Sequence, residues 1–387
     1  MNLMTSRERV CAAISHHPPD RVPIDLNITL WAYENLKKYM GLGINDNPVP
    51  NTAMEVIPDP SILQSLGVDL ISIKLGGTGS GSYKLAETII DNWGITRKLV
   101  HQSVGAYYEA ITHPLAVSTI DDLNEYPWPN VDPLKKVENL RIHAEKLYHQ
   151  TDLALVGRFG GPILEIAADL LGMQEWYLRL AIDKEFIAAL LDKISDICTA
   201  HDLLGIESAG QYLQILKVSG EDFGGQNGPL YSLRMFRELL LPPIRRRWLA
   251  VREKLDAVNP NTKIMLHSCG AIRSFIPDLV ATDIIDILDP VQTSASGMDP
   301  AILKAEFGDR LVFHGGIDVQ RLLPFGSLEE VFSETRKCLE EFRADSGGFI
   351  LAPTHSIQAD VPPQNILAMI ESAKHYTYNS AGRKLCL

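Results

Sequence analysis

The tetrapeptide His267-Ser268-Cys269-Gly270 combines two good metal ligands at a spacing of two residues. In an extended segment, residues i and i+2 point to the same side about 6.5 to 7 Å apart, so the imidazole and the thiolate could reach one ion. Zinc accepts both ligand types, and Gly270 would allow the backbone to turn sharply after them. Taken alone, the pattern also fits a hydrogen-bonded histidine beside a packed thiol, so a zinc site requires further ligands.

A third ligand would have to come from another part of the chain, where the candidates are His314, Asp318 and His355. We favour His355, because it follows Pro353, which marks the end of the last β-rich run of the chain. Asp318 is the reserve ligand. Three protein ligands leave one position of a tetrahedral zinc ion open for substrate, which distinguishes catalytic from structural zinc.

A second polar cluster is the segment 219–226, which reads SGEDFGGQ. Its adjacent carboxylates, Glu221 and Asp222, are the predicted catalytic residues, and its glycines are typical of a loop. Such a loop could bind a polar group of a substrate or orient a metal ligand. An ordinary acidic surface loop would have the same sequence.

Eight β-rich runs must position these residues. They are continuous and apolar, as expected of parallel strands that are covered on both faces. Between them, apolar residues recur with helical spacing, as in 183–198 and in 328–342, which is opened by the capping box Ser327-x-x-Glu330. This alternation predicts an α/β fold in which 1–387 forms a single (β/α)₈ TIM barrel, with an open doubly wound sheet as the alternative. The predicted strands are 22–26, 69–74, 153–158, 213–218, 263–267, 284–288, 311–315 and 348–352.

Barrel enzymes build their active sites at the C-terminal ends of the strands. The stretches 28–68 and 76–150 exceed ordinary connections and are predicted to cover this face and to wall the substrate. The glycine-rich segment 76–81 lacks the Gly-Lys-Ser/Thr of a P-loop, which argues against phosphate binding. Trp31 and Phe223 are candidates for stacking on an aromatic ring. The residues predicted to bind substrate are Asn27, Trp31, Arg158, Phe223, Gln226, His314, Asp318 and Gln358.

Composition narrows the class of protein. The 36 Lys and Arg against 48 Asp and Glu give a formal charge of −12, which argues against nucleic acid and anionic membranes as partners. No apolar run is long enough to span a membrane, and the first residues lack the apolar core of a signal peptide, so we expect a cytoplasmic protein. The five cysteines, an odd number without a CxxC pair, do not resemble a disulfide framework. Among them, only Cys269 lies in a pattern that suggests chemistry.

Several motifs along nearly the whole chain resemble the uroporphyrinogen decarboxylase superfamily, and within it the zinc-dependent, corrinoid-linked methyltransferases. Each motif is weak alone, but together they are specific for the superfamily. They are Thr5-Ser6-Arg7-Glu8-Arg9-Val10, Pro19-Asp20-Arg21-Val22-Pro23, Asn92-Trp93-Gly94-Ile95, Glu221-Asp222-Phe223-Gly224-Gly225-Gln226, His267-x-Cys269-Gly270 and Pro362-Pro363-Gln364-Asn365-Ile366.

The resemblance implies one of two activities. The decarboxylases bind a porphyrinogen with eight carboxylates through an arginine-rich mouth, whereas this sequence has no arginine between Arg21 and Arg97. In the methyltransferases the HxC pair binds zinc together with a later cysteine, and His355 stands at that place here. A set with one thiolate instead of two would be a stronger Lewis acid, which suits an ether or alcohol oxygen better than a thiol.

We therefore expect a methyltransferase component of an O-demethylase system, with zinc held by His267, Cys269 and His355. It would pass a methyl group from a small methylated substrate, of the methoxylated aromatic class, to the cobalt of a corrinoid-binding partner protein. A metal-free decarboxylase of a tetrapyrrole and a non-enzymatic corrinoid or tetrapyrrole binder remain the alternatives. The sequence leaves the methyl donor, the direction of transfer and a homodimer open.

Overall fold

The computed structural model describes most of the chain. The predicted segment 76–81, Ser219 of the acidic loop and Cys386 lie outside the described residues, and the side chains of 134–136 are not described either. No helix of the described residues is both long and apolar enough to cross a bilayer. The residues that the structure describes are 3–44, 46, 48–75, 85–130, 134–218 and 220–376.

Strands and helices alternate along the chain. The strands are β1 (Ile28–Thr29), β2 (Glu55–Val56), β3 (Leu70–Lys74), β4 (Thr88–Ile90), β5 (Thr96–His101), β6 (Ala106–Ala110), β7 (Ala154–Arg158), β8 (Ile215–Val218), β9 (Lys263–His267), β10 (Ile287–Val291), β11 (Val312–Ile317) and β12 (Phe349–Pro353). The α-helices are α1 (Ser6–Ile14), α2 (Leu30–Tyr39), α3 (Pro60–Leu66), α4 (Ile120–Glu125), α5 (Leu134–Gln150), α6 (Ile163–Leu171), α7 (Met173–Ile182), α8 (Lys184–Ala209), α9 (Leu233–Met235), α10 (Leu241–Val258), α11 (Ile276–Ala281), α12 (Pro300–Phe307), α13 (Leu322–Phe325), α14 (Leu328–Glu341) and α15 (Pro363–Lys374).

Seven parallel strands form the central sheet, in the order β12-β11-β10-β9-β8-β7-β3. Helices surround the sheet, which curls into a TIM-barrel-like α/β fold, so the predicted fold class is confirmed. The helical predictions hold as well: Asp183 caps α8, and Ser327 and Glu330 form the expected capping box of α14.

The first predicted strand, 22–26, is not a regular strand. It contributes a single parallel bridge, from Ile24 to Leu351 of β12. Pro23 has no N–H to donate, and the N–H of Ile24 binds the side chain of Asp69 at 2.9 Å instead of a neighbouring strand. The segment still lies between the edge strands, because Asp25 N donates to Leu351 O and Asp69 N donates to Ile24 O.

The sixth predicted strand, 284–288, is displaced along the chain, since β10 begins at Ile287. The preceding apolar residues belong to the turn after α11, where Asp283 has a φ of 56°. The apolar run thus marked the strand correctly but began in the turn before it.

The barrel interior has an apolar layer with a polar layer above it. Ile215, Met265, Ile287 and Val312 pack together in the apolar layer. Side chains of a strand alternate between its two faces, so the residues two positions later also point inward, nearer the C-terminal ends. Those residues are Lys217, His267, Asp289 and His314.

Helix α1 closes the opposite end of the barrel. Its Val10 and Ile14 are buried and pack in the same cluster as the apolar layer. Within the described residues, α1 therefore covers the N-terminal end of the barrel.

The long insertions lie at this face, as predicted. Strands β1 and β2 pair with each other, and β4, β5 and β6 form a separate antiparallel meander. The turn just before β2 accepts a backbone hydrogen bond from the meander, from Tyr108 N to Thr52 O at 3.3 Å. Arg97 of β5 also forms an ion pair with Asp169 of α6.

The opening motifs of the sequence have a structural role. Asp69 is fully buried, and its carboxylate binds Arg9 at 2.6 Å and Arg21 at 2.7 Å. Arg9 also pairs with Asp20 at 2.6 Å. This network attaches α1 and the segment 22–26 to the start of β3.

Asp69→Ala is expected to lower the free energy of unfolding by about 3 to 5 kcal/mol, because it removes a fully buried carboxylate that neutralises Arg9 and Arg21, of which Arg9 keeps Asp20 as a second partner. Urea unfolding followed by circular dichroism measures this change. Asp256→Ala is the control, since Asp256 is 57% exposed and lies 3.9 Å from Arg252. Equal shifts of the unfolding midpoint in both variants would contradict the prediction.

Candidate active site

A cavity of about 300 Å³ lies at the C-terminal ends of the strands. Its walls come from the ends of β7 to β10, from the segments after β8 and β12, and from β2 and the turn just before it. Among the residues that line it are Asn27, Arg158, Asp222, His267, Asp289 and His355. The cavity thus joins residues that are far apart in the sequence.

His267 and Cys269 face the same side, as their spacing predicts. Cys269 Sγ lies 3.4 Å from His267 Nε2. A carboxylate oxygen of Asp222 joins them, and the three ligand atoms all lie within 4.8 Å of one another. An imidazole nitrogen, a sulfur and a carboxylate oxygen at this separation form a donor set that fits zinc.

His355, the predicted third ligand, lines the same cavity but is not part of this compact group. Its ring centre lies 6.5 Å from that of His267. Burial and the proximity of His267 lower the pKa of His355, which keeps its ring in the neutral form that can bind a metal. The geometry makes Asp222 the third member of the group, and ligation by His355 stays a prediction.

Asp289 fixes the orientation of His267. Its Oδ2 lies 2.7 Å from His267 Nδ1 and 2.6 Å from Lys217 Nζ, and its Oδ1 lies 2.5 Å from His314 Nδ1. Although burial opposes ionisation, the charges of Lys217 and His314 and the hydrogen bond with His267 hold the pKa of Asp289 well below its usual range. Because a carboxylate occupies Nδ1 of His267, Nε2 is left for a metal.

His314 lies beneath the cavity and does not line it. The side chain is 1% exposed, and Nε2 is 3.0 Å from Asp25 Oδ2. Burial lowers its pKa, but the two flanking carboxylates outweigh burial and raise the pKa to about 9. His314, which was predicted to bind substrate, therefore lies against Asp289 and supports it.

His314→Gln is expected to remove a pH-dependent part of the stability. Since the pKa in the folded state is raised from 6.5 to about 9, this part is fully present below pH 6.5 and is lost as the pH rises through 9. This pH-dependent contribution to the free energy of unfolding amounts to about 3 kcal/mol. The measurement is urea unfolding of both proteins between pH 6 and 9.5, and identical pH slopes for the two would refute it.

Glu221, a predicted catalytic residue, does not line the cavity. Its carboxylate is buried and accepts hydrogen bonds from the N–H groups of Ile163 and Leu164, at the start of α6. Burial raises its pKa to about 7. Glu221 caps α6, whereas the adjacent Asp222 faces the cavity.

Glu165 and Lys217 are cavity residues that sequence reasoning missed. Glu165 Oε1 accepts from Asp222 N at 2.9 Å, and its buried Oε2 has no hydrogen-bond partner among the described residues. Burial and the nearby Glu221 raise the pKa of Glu165 well above its usual range. Both residues had a signal, because each is a charge within a mostly apolar run: Glu165 in ILEIAADLL, which also contains Asp169, and Lys217 in LQILKV.

The other predicted substrate residues divide into two groups. Asn27 and Arg158 line the central cavity. Trp31 and Gln358 line a neighbouring cavity of about 510 Å³, beside the meander.

The remaining three lie elsewhere. Phe223 is fully buried against Phe236 and Phe275, so it has no face free for a substrate ring. Gln226 binds the carbonyl of Ser294 and the side chain of Gln292, which in turn accepts from Gly270 N. Asp318, the reserve ligand, lines a separate surface cavity.

Comparisons with known proteins agree with this fold. It is similar to that of a methyltransferase from Methanosarcina mazei, with a TM-score of 0.65 and 18% identity over 96% of this chain and 99% of that chain. An endo-1,4-beta-xylanase from Penicillium canescens aligns with a TM-score of 0.39 and 9% identity over 62% of this chain and 78% of that chain. A comparison with curated protein sequences finds no match. The family model for uroporphyrinogen decarboxylase (URO-D) matches residues 107–376, a range that contains both the acidic loop and the HxC pair, and the chain therefore belongs to the uroporphyrinogen decarboxylase family.

Proposed function

We propose that this protein is a zinc-dependent methyltransferase. It moves a methyl group from a small methylated substrate, of the methoxylated aromatic class, to the cobalt of a corrinoid that a partner protein carries. The observation that supports this proposal is the convergence of the donor atoms of Asp222, His267 and Cys269 beside a cavity at the C-terminal face, which Asp222 and His267 line. The likeness of the fold to a protein described as a methyltransferase is in keeping with it.

The donor set of Asp222, His267 and Cys269 would hold the zinc ion, with His355 in the same cavity as a further candidate ligand. When bound, the ion would supply a Lewis acid that polarises the oxygen of the methylated substrate. With His355 in place of Asp222, Cys269 would be the one anionic donor of the set, which would leave more positive charge on the metal and would suit an oxygen leaving group.

The chain's own residues hold and orient these donors. Asp289 fixes the ring of His267, and the carboxylate of Asp222 accepts a hydrogen bond from Cys269 N at 3.0 Å. Glu165 accepts from the N–H of Asp222 at 2.9 Å and so holds the backbone of the loop that carries this carboxylate. These contacts position the donors before substrate binds.

The corrinoid is the second substrate. In the transfer, the bond between the methyl carbon and the substrate oxygen breaks, and its electron pair remains on the oxygen. The new bond of the methyl carbon forms with the electron pair of cobalt(I), and the oxygen takes up a proton. The partner protein must present its corrinoid at the C-terminal face, since α1 closes the other end of the barrel.

Metal analysis combined with a methyl-transfer assay tests this function. We expect about one zinc ion per chain, and methylation of cob(I)alamin, followed by its absorbance, with at least one member of a panel of methoxyarenes and methylamines. Removal of zinc by a chelator should abolish transfer, and zinc should restore it. Metal-free protein that decarboxylates a tetrapyrrole would establish the alternative activity.

A further inference from the structure

Arg158 is a cation in the wall of the central cavity whose donors are mostly free. It ends β7, and its side chain is 22% exposed. Within the described part of the chain, its guanidinium makes one hydrogen bond, from Nη2 to Glu55 Oε2 at 3.1 Å. Since a guanidinium has five N–H donors in a planar fork, several remain available to a ligand in the cavity.

Glu55 holds the guanidinium in place but has little remaining capacity. Its Oε1 accepts from Ser356 Oγ at 2.5 Å, and its Oε2 accepts from Asn51 Nδ2 at 3.0 Å as well as from Arg158. The positive charges of Arg158 and Lys74 keep the pKa of Glu55 well below its usual range, although burial opposes this. Glu55 is therefore a fixed carboxylate that orients Arg158.

The charges around Arg158 do not balance. Lys74, its register partner on β3, forms no hydrogen bond or ion pair with any described residue, and it lines a neighbouring cavity instead of the central one. Burial and the charge of Arg158 lower the pKa of Lys74 to about 8. Lys217 has its own counterion, Asp289. Two cations therefore share the single carboxylate of Glu55, which leaves one positive charge for an anionic ligand.

We infer that the methyl donor carries a carboxylate and that Arg158 binds this carboxylate. A guanidinium fork matches a carboxylate in a bidentate fashion, and one carboxylate would neutralise the excess charge. A cavity of about 300 Å³ has room for a single substituted ring, with its methylated oxygen at the Asp222, His267 and Cys269 group. This inference rests on the proposed function for the identity of the ligand as a methyl donor.

The test compares charged and neutral ligands of the same shape. Calorimetry on the zinc-loaded protein would measure the Kd values of the positional isomers of methoxybenzoate and of the matching methoxybenzamides. We expect the best benzoate to bind about 10- to 100-fold more tightly than its amide. Arg158→Gln should reduce this ratio to near one with little effect on the amide, whereas Arg158→Lys, which keeps the charge but loses the fork, should retain part of it.

Arg273→Gln is the matched control, because Arg273 is 41% exposed, pairs with Glu306 and does not line the cavity. It should leave the ratio unchanged. A wild-type protein without preference for the benzoate would overturn the inference, as would a preference that survives in Arg158→Gln, because the carboxylate would then bind the metal instead. Transfer from neutral and charged donors at equal rates would also overturn it and leave the proposed function intact. Benzoate selectivity without methyl transfer would support carboxylate binding by Arg158 and contradict the proposed function.

Discussion

Cys269→Ala is expected to reduce both zinc content and methyl transfer by more than about 100-fold, the upper range for loss of a residue that merely orients a ligand. Cys269 supplies the sulfur of the donor group, 3.4 Å from His267 Nε2, and alanine has no atom that can replace it. The side chain is small and only partly buried, so the fold should survive the change.

Elemental analysis after dialysis and the cobalamin assay measure the two effects. Cys11→Ala is the control, since Cys11 is an exposed thiol on α1, at the closed end of the barrel. It should behave like the wild type in both measurements. Full zinc content in Cys269→Ala would remove the basis of the proposed metal centre.

Asp222→Asn is expected to weaken zinc binding more than His355→Ala, by at least about tenfold. Asparagine can still accept the hydrogen bond from Cys269 N, so the change removes the negative charge while the local backbone contact is kept. His355 lies outside the compact donor group, and its ring centre is 6.5 Å from that of His267.

Competition with a chromophoric chelator gives the zinc Kd of each variant. Thermal unfolding of the metal-free proteins checks that neither change disrupts the fold. If His355→Ala has the larger effect, the ligand set predicted from the sequence is correct, and Asp222 has only an orienting role.

The fold was largely predictable because it depends on local patterns. Continuous apolar runs mark parallel strands, and they located the seven regular strands of the central sheet. The segment 22–26 has the same pattern, yet its hydrogen bonds are decided by Pro23 and by the distant carboxylate of Asp69. A long-range contact of this kind leaves no trace in the apolar periodicity.

In the candidate site, too, local features could be predicted and long-range contacts could not. The common orientation of His267 and Cys269 follows from a spacing of two residues, so it could be predicted. Which carboxylate of the acidic loop faces the cavity could not be predicted, because it depends on α6. The start of this helix binds Glu221, whereas Asp222 lines the cavity. Lys217 and Asp289 likewise show their roles only when neighbouring strands are placed side by side.

The closure of the barrel by Val10 and Ile14 has a kinetic consequence for the proposed reaction. Because α1 covers the N-terminal end, the methyl donor, the demethylated product and the corrinoid must all reach the cavity from the C-terminal face. The donor therefore has to enter before the partner protein docks, and the product can leave only after the partner has departed. Turnover should follow a compulsory order, and a large excess of the partner should slow it by blocking the entrance.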